Sequence, residues 1–203
     1  MRVLDLFSGF GGFSEAFVRA GDEVVRVENN PLLSEVPNTT MQCVFDMRDR
    51  LETYKEEGQP IREYDVLLAG VPCYEFSLAF SAPRAIAIRQ GIDWKPSMDA
   101  LEATLDIIDM TRPRYWVIEN VAGSRKYFEE YGLEVNQKHG AHVLYGKFPK
   151  FSCPPLPTKA DRDKRWAGEL RSNHRAMIPF ELSYNLRQAI IDQKTLFDDY
   201  INP

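Results

Sequence analysis

Cysteine is scarce in this sequence. The three cysteines, at positions 43, 73 and 153, are odd in number and widely spaced, without a C-x-x-C pair. This pattern suggests neither a disulfide framework nor a zinc knuckle, so we predict no metal site. At least one thiol is therefore free for chemistry.

Long apolar runs are missing as well. No window of about 18 consecutive apolar residues occurs, so no segment is predicted to cross a membrane. Asp5 lies where a secretory signal would need an uninterrupted apolar run. We therefore expect a soluble intracellular protein, in the cytoplasm or nucleoid, or in the host cell if its source is a virus. The 203 residues, 44% of them apolar, are enough for one domain and too few for a second full one.

Excess positive charge is the third absence, because the formal net charge is −5. The protein is therefore not expected to hold polyanions by bulk electrostatic attraction. Lysine and arginine are instead concentrated in three segments, at 84–95, 112–126 and 159–175. A basic groove on one face is compatible with this distribution.

Short apolar runs typical of strands alternate with segments of helical periodicity. The alternation predicts an α/β fold with a single doubly wound, mostly parallel sheet of the Rossmann-like kind. Two stretches depart from the pattern: 71–96 is predicted to be a long functional loop, and 149–179 an excursion outside the sheet. The expected strands are Val3–Phe7, Glu23–Val27, Val44–Phe45, Tyr64–Ala69, Tyr115–Ile118 and Val143–Tyr145, and the clearest helices cover 12–20 and 98–111.

A glycine-rich turn follows the first predicted strand, in Ser8-Gly9-Phe10-Gly11-Gly12. Glycines let the backbone approach a ligand closely, and the helix that follows offers free N–H donors. Glu28 ends the next strand, where a carboxylate can accept both hydroxyls of a ribose. Nicotinamide enzymes carry a similar pattern, so a nucleotide-binding oxidoreductase remains an alternative at this point.

Two further side chains directly follow apolar strands. Cys73 comes after the strand 64–69, and Glu119 comes after Val117 and Ile118. Parallel strands bring their carboxyl ends to one edge, so Glu28, Cys73 and Glu119 are expected to converge on one crevice. An isolated loop cysteine or strand-end glutamate is more often structural or solvated. Their convergence is what favours a nucleophile and an acid.

With these motifs in this order, the sequence resembles the cytosine-C5 DNA methyltransferase family. The segment Asp5–Gly12 is similar to the family's cofactor motif, and Glu28-Asn29-Asn30 to its second motif. Pro72-Cys73 with Phe76-Ser77 resembles the nucleophile loop, and Glu119-Asn120-Val121 the catalytic glutamate motif. Residues 178–186 are more weakly similar to the family's closing helix.

The resemblance implies S-adenosylmethionine as the cofactor, on the fold of the methyltransferases that use it. Phe7 is implied to lie against the adenine and Glu28 on the ribose. Asp46 is implied to accept from the adenine amino group, with helix capping as the alternative. The full set of implied cofactor-binding residues is Phe7, Ser8, Gly9, Gly11, Gly12, Glu28, Asn29, Asp46 and Asn185.

The implied reaction is methyl transfer to C5 of cytosine in a nucleic acid. Cys73 would add covalently to C6, and Glu119 would stabilise the charge that grows toward N3, with Pro72 and Asn120 beside them. DNA is favoured over RNA by analogy only, since small relatives in the family methylate RNA. The candidates for substrate binding are Ser77, Arg84, Arg89, Lys138 and His139.

The sequence departs from the family where an arginine would contact cytosine O2. The family's Gln-x-Arg-x-Arg segment is absent, and its nearest equivalent is Gln137-Lys138-His139 followed by Gly140-Ala141-His142. Either a lysine or histidine takes over this role, or these are surface residues and catalysis is impaired. In the second case the chain is a catalytically weak, methyltransferase-like binding or regulatory module.

Three regions are expected along the chain. Residues 1–148 form the catalytic and cofactor-binding domain, 149–179 a short insert, and 180–203 a helix that returns to the catalytic domain. The insert stands where the family carries a target-recognition domain, and its roughly 30 residues are fewer than the 50 or so that a domain needs. The chain therefore resembles a small, phage-like or minimal member. Sequence discrimination should be low, short-ranged or supplied by another chain, either a second copy or a specificity subunit.

Overall fold

A single seven-stranded sheet forms the centre of the computed structural model, which describes residues 1–157 and 168–201, with side chains up to residue 193. The strand order is β3-β2-β1-β4-β5-β7-β6. The strands are β1 (Arg2–Leu6), β2 (Glu23–Glu28), β3 (Thr39–Met41), β4 (Val66–Gly70), β5 (Tyr115–Asn120), β6 (Val135–His139) and β7 (His142–Lys147). The helices are α1 (Glu15–Arg19), α2 (Val44–Glu56), α3 (Pro83–Gln90), α4 (Asp99–Thr111), α5 (Arg125–Glu129), α6 (Arg171–Ala176) and α7 (Phe180–Ile201).

Strands β1 to β5 run parallel, and β7 is antiparallel to both β5 and β6. Successive residues of a strand point to opposite faces of the sheet, so each central strand contributes to two cores. In β4, Leu67 joins the core formed with α2 and α4, whereas Leu68 joins the core formed with α1 and α7. Both are fully buried, and burying a leucine completely contributes about 1.5–3 kcal/mol. The predicted fold class is confirmed.

The strand expected at Val44–Phe45 is wrong, because Val44 opens α2. The third strand instead lies just before it, at Thr39–Met41, and pairs with β2. The helix buries Val44, Met47 and Leu51, which follow a helical period, and two apolar residues are too short a run to overrule that pattern.

The segment after β4 is more ordered than a plain loop. It contains α3, which begins at Pro83, a residue suited to the first turn of a helix, and ends before Gly91 in the left-handed conformation. The stretch predicted to leave the sheet contains no strand among its described residues, and only the short helix α6 forms there. Its basic part at 159–167 lies outside the described residues. In the part of the chain that the structure describes, no helix is long and apolar enough to cross a membrane.

Candidate active site

The turn after β1 has an unusual backbone conformation. Phe7 has a φ of 54°, and Gly9 and Gly11 have φ values of 54° and 75°. A positive φ costs a non-glycine residue energy, so Phe7 is held in place by its surroundings. A Cβ on Gly11 would lie 2.2 Å from the Arg26 guanidinium carbon, and one on Gly12 would lie 2.4 Å from the Ile178 carbonyl oxygen. The glycines therefore allow both close approaches.

Arg26 braces this turn from inside the protein. It lies beside Asp5 on the neighbouring strand and is 1% exposed. Its guanidinium donates to Ser14 Oγ at 2.9 Å and to the Gly11 carbonyl at 2.9 Å, and it pairs with Glu15 at 3.0 Å. A charge buried this deeply is stable only when its donors are satisfied in this way.

Asp5 lies at the base of the turn and is fully buried. Its Oδ2 accepts a hydrogen bond from Ser14 Oγ at 2.6 Å. Burial raises the pKa of this carboxyl to about 7, and the hydrogen bond from Ser14 and the charge of Arg26 offset only part of that effect. The sequence had placed Asp5 in the cofactor motif without indicating its burial.

Glu28 holds the turn from the end of β2. Its Oε2 accepts from the Gly9 backbone N–H at 2.8 Å, and its Oε1 accepts from the N–H groups of Asn29 and Asn30 at 3.0 and 2.8 Å. A carboxylate offers about four acceptor positions, so some capacity for a ligand hydroxyl remains. Glu28 therefore both shapes the turn and faces the cavity beside it.

The nucleophile candidate follows β4 and is tied to β5. The Asn120 side chain is fully buried and donates to the Val71 carbonyl at 3.1 Å, two residues before Cys73. The Cys73 carbonyl accepts from the backbone N–H groups of Phe76 and Ser77, which closes a tight turn around the thiol. Asn120 is thus a positioning residue, and Cys73 is half-buried at the rim of the sheet.

Glu119 meets a histidine from the next strand. His142 Nδ1 lies 2.7 Å from Glu119 Oε1, and the two side chains are 3% and 12% exposed. His142 stands one position beyond the paired residues Asn120 and Val143, so the antiparallel register of β5 and β7 brings it to Glu119. Sequence reasoning had named His142 only as part of the Gln-x-Arg-x-Arg equivalent. The register of the β6–β7 hairpin was the signal that could have singled it out.

One cavity of about 250 Å³ collects these groups. Phe7, Glu28, Cys73 and Glu119 all line it, as the strand-end argument predicted. A second cavity adjoins the first, because Cys73 and Ala176 line both of them. Ser77 lines the second cavity only. The other predicted residues in the lining of the first are Ser8, Gly9, Gly12, Asn29 and Pro72.

The returning segment before α7 covers the glycine turn. The ring of Phe10 stacks on His174 at 4.2 Å, and Met177 and Ile178 line the cavity. The resemblance of 178–186 to the family's closing helix implied that Ile178 lies beside the cofactor site, whereas the contacts of His174 and Met177 were missed, because no local pattern indicates them.

The cavity suits a ligand that carries both a ring system and polar groups. Two buried polar atoms on its wall, Ser8 Oγ and Asp5 Oδ1, have no hydrogen-bond partner among the described residues. Phe7 offers an aromatic face, and Glu28 offers carboxylate oxygens. The residues present therefore fit a nucleoside-bearing cofactor.

Two predicted cofactor residues are not part of this cavity. Asp46 is exposed to solvent in the first turn of α2, where its negative charge interacts favourably with the positive end of the helix dipole. Asn185 lies on α7, and its side-chain amide donates to the Glu181 carbonyl at 2.7 Å. Gly11 also lies outside the lining, against Arg26. A direct contact of these three residues with the cofactor stays a prediction.

Of the substrate-binding candidates, the two arginines have different surroundings. Arg84 is half-buried and donates to the carbonyls of Phe76 and Gly123 at 3.2 and 2.9 Å, so it braces the nucleophile loop. Contact of Arg84 with the substrate backbone stays a prediction, and these two hydrogen bonds are its contacts within the protein. Arg89 is exposed, lies 4.3 Å over the ring of Phe80 and donates to its carbonyl at 2.7 Å. Phe80 itself is 81% exposed.

The two candidates on β6 do not reach the cavity. Lys138 is exposed on its strand. His139 stacks on Phe151 at 4.7 Å, and burial lowers the pKa of its imidazole, with a smaller effect from His142. Whether Lys138 or His139 replaces the missing arginine stays a prediction, whereas His142 is the residue of this segment that contacts Glu119.

Comparison with known proteins agrees with this geometry. The model of the C-5 cytosine-specific DNA methylase family matches residues 1–144. The type II methyltransferase M1.HphI of Haemophilus parahaemolyticus is 30% identical over 127 residues, which cover 60% of this chain and 32% of that protein. The DNA-cytosine methyltransferase of Escherichia coli K12 is 30% identical over 145 residues, covering 62% of this chain and 31% of that protein.

This chain matches about a third of the length of these relatives. Among solved structures, the S. pombe Dnmt2 methyltransferase is 17% identical, covers 72% of this chain and 48% of its own, and has a TM-score of 0.38. The fold assignment rests on the sheet topology above. Since the family match covers well over half of the sequence, the chain belongs to the C-5 cytosine-specific DNA methylase family.

Proposed function

We propose that this protein transfers a methyl group from S-adenosylmethionine to C5 of cytosine in a nucleic acid. The observation that carries the proposal is the meeting of Cys73 and Glu119 with the glycine turn around one cavity. An oxidoreductase would have no use for this thiol and this carboxyl together. Family membership supports the same reaction.

The inner part of the cavity would hold the cofactor. S-adenosylmethionine, when bound, supplies an electrophilic methyl group on its sulfonium. Phe7 would lie against its adenine, Glu28 would accept from its ribose, and Ser8 and Gly9 would contact its polar groups. This assignment leaves Cys73 and Glu119 at the side of the cavity from which a base can enter.

Cys73 and Glu119 would act on the cytosine ring. C5 is not nucleophilic by itself, so the Cys73 thiolate would add to C6, form an S–C bond and move electron density toward C5 and N3. Glu119, in its protonated form, would stabilise the charge at N3 by donating a hydrogen bond. After methyl transfer, loss of the C5 proton and cleavage of the S–C bond would restore the aromatic ring and the free thiolate.

The target base must leave its stack for this chemistry, because C5 and C6 cannot be reached from both sides in a duplex. DNA is the proposed substrate, since the relatives described above are a DNA-cytosine methyltransferase and a type II methyltransferase. A catalytically weak binding module is the second candidate, and it is favoured by the absent arginine that would contact cytosine O2.

Incubation with radiolabelled S-adenosylmethionine and a panel of single-stranded DNA, duplex DNA and RNA tests the proposal. We expect label in DNA with the wild-type protein and none with Cys73→Ser, while both bind the cofactor with similar affinity. Cys43→Ser is the matched control, since Cys43 lies outside the cavity. Label in RNA alone would change the substrate, and cofactor binding without any transfer would favour the binding module.

A further inference from the structure

His142 is a buried histidine on the wall of the cavity. It is the first residue of β7, lines the cavity and is 3% exposed. Its Nδ1 lies 2.7 Å from Glu119 Oε1. Its Nε2 is buried and has no hydrogen-bond partner among the described residues. The ring is thus anchored at one nitrogen only.

The missing partner indicates which ring nitrogen carries the hydrogen. A neutral imidazole has one N–H donor and one acceptor lone pair. A buried N–H without a partner is rarer than an acceptor with spare capacity. The arrangement therefore favours hydrogen on Nδ1, which donates to the Glu119 carboxylate, and a lone pair on Nε2.

Titratable side chains from both neighbouring strands face His142. The charged or titratable groups facing it are Glu119 from β5 and His139 from the opposite position of the β6–β7 hairpin. The pKa of the His139 imidazole is lowered by burial and, to a smaller extent, by electrostatic interaction with His142. Glu119 is the group that His142 can stabilise.

We propose that His142 is a positioning residue for the methylation reaction, holding Glu119 in one rotamer through a hydrogen bond from Nδ1. Glu119 Oε2 has no hydrogen-bond partner among the described residues, so this contact fixes Oε1 as an acceptor and leaves Oε2 free to carry the proton that the carboxyl donates to cytosine N3. The inference rests on the proposed function. The family's Gln-x-Arg-x-Arg segment is absent from this chain, and we assign the positioning of Glu119 to His142.

Loss of the contact should affect the reaction more than the binding of the cofactor. A free glutamate side chain samples several rotamers, and it must be ordered again before it can stabilise the charge at N3. We expect the turnover number to fall and the cofactor affinity to stay within about twofold, because Glu28 and the glycine turn are separate from this contact.

Three substitutions separate positioning from simple packing. In His142→Asn the side-chain amide nitrogen can take the place of Nδ1, whereas in His142→Gln it lies nearer the place of Nε2. His142→Leu fills the site without a donor. Single-turnover rates on a cytosine oligonucleotide should fall about tenfold to a hundredfold in the Leu and Gln variants, as expected for losing one hydrogen bond to a charged group. His142→Asn should recover most of that loss.

A spectroscopic measurement tests the contact without relying on activity. In 15N-histidine-labelled protein, the His142 ring should show hydrogen on Nδ1, and Glu119→Leu should shift that resonance. The proposal is overturned if His142→Leu reacts at the wild-type rate, if the Asn variant is as slow as the Leu variant, or if Nδ1 carries no hydrogen. An inactive wild-type protein with the expected spectrum would instead contradict the proposed function and leave the contact standing.

Discussion

Asp5 shows how a single buried carboxyl can make stability depend on pH. Its pKa is about 7 in the folded protein, compared with about 3.9 for an unfolded chain. The folded state therefore binds its proton more tightly between these values. The resulting contribution to stability is complete below about pH 4 and is lost as the pH rises through about 7.

Asp5→Asn should remove this dependence and keep an acceptor for Ser14. We expect the free energy of unfolding to fall less steeply between pH 4 and 7 in the variant, by a total on the order of a few kcal/mol. Urea unfolding at a series of pH values measures the difference. Asp109→Asn, at an exposed position, is the control and should keep the wild-type slope. An unchanged slope in Asp5→Asn would mean that Asp5 is ionised in the folded protein.

Glu28 is predicted to matter for the cofactor in two ways. Glu28→Ala removes a ribose acceptor and leaves the N–H groups of Gly9, Asn29 and Asn30 without their partner. The affinity for S-adenosylmethionine should fall by about 1–3 kcal/mol. Calorimetric titration measures this, with Glu23→Ala on the exposed end of the same strand as control. Equal affinity in wild type and Glu28→Ala would place the ribose elsewhere.

The nucleophile loop and α3 form the element that connects Cys73 to the substrate, and two arginines on it allow a matched test. Arg84→Ala removes two hydrogen bonds that brace the loop and should lower the turnover number by about tenfold, with the salt dependence of DNA binding unchanged.

Arg89→Ala should show the opposite pattern. Arg89 is exposed beside Phe80, so its loss should weaken DNA binding and reduce the slope of log K against log salt concentration by about one, with little change in turnover. Binding isotherms at several salt concentrations and single-turnover rates distinguish the two. An unchanged salt slope in Arg89→Ala would show that this arginine does not contact the phosphate backbone.

The sequence indicated the central elements well, because buried parallel strands are continuous apolar runs. The strands around 3–7, 64–69 and 115–118 follow directly from that rule, as does the placement of Cys73 and Glu119 after the last two of them. Val44–Phe45 failed because a two-residue run carries no period, and α2 is identified only by residues further on. That Asp46 and Asn185 lie outside the cavity lining has a related reason: a sequence motif does not say which way a side chain on a helix points.

The arginine and histidine contacts could not be predicted, because they depend on tertiary structure. The Arg84 guanidinium donates hydrogen bonds to two backbone carbonyls, one of them that of Gly123 in the turn after β5. His142 finds Glu119 only through the register of an antiparallel hairpin. In both cases the residue type alone suggested a charged or titratable side chain that contacts the substrate.

For the whole molecule, the small insert and the charge of −5 bear on the form of the substrate. A recognition domain normally holds a duplex open after the base leaves its stack, and the residues between β7 and α7 are too few for one. Single-stranded or locally opened DNA should therefore react at least about tenfold faster in kcat/KM than duplex, equivalent to about 1.4 kcal/mol.

Single-turnover assays on matched oligonucleotides at fixed salt measure this preference. Equal or faster reaction on duplex would indicate that the insert, or a partner subunit, performs the recognition. A preference that disappears at low salt would point to electrostatic attraction as the limiting factor.

The proposed mechanism depends on a covalent bond between Cys73 and cytosine, and trapping this adduct is its most direct test. A 5-fluorocytosine oligonucleotide cannot lose its C5 substituent as a proton, so the Cys73 adduct should persist after methyl transfer. Intact-protein mass spectrometry under denaturing conditions, with S-adenosylmethionine present, should show the mass of protein plus methylated oligonucleotide, and peptide mapping should place it on Cys73. Cys73→Ser should give no adduct. Methylation of ordinary cytosine DNA by the wild-type protein, with no adduct on the fluorinated strand, would contradict covalent catalysis by Cys73.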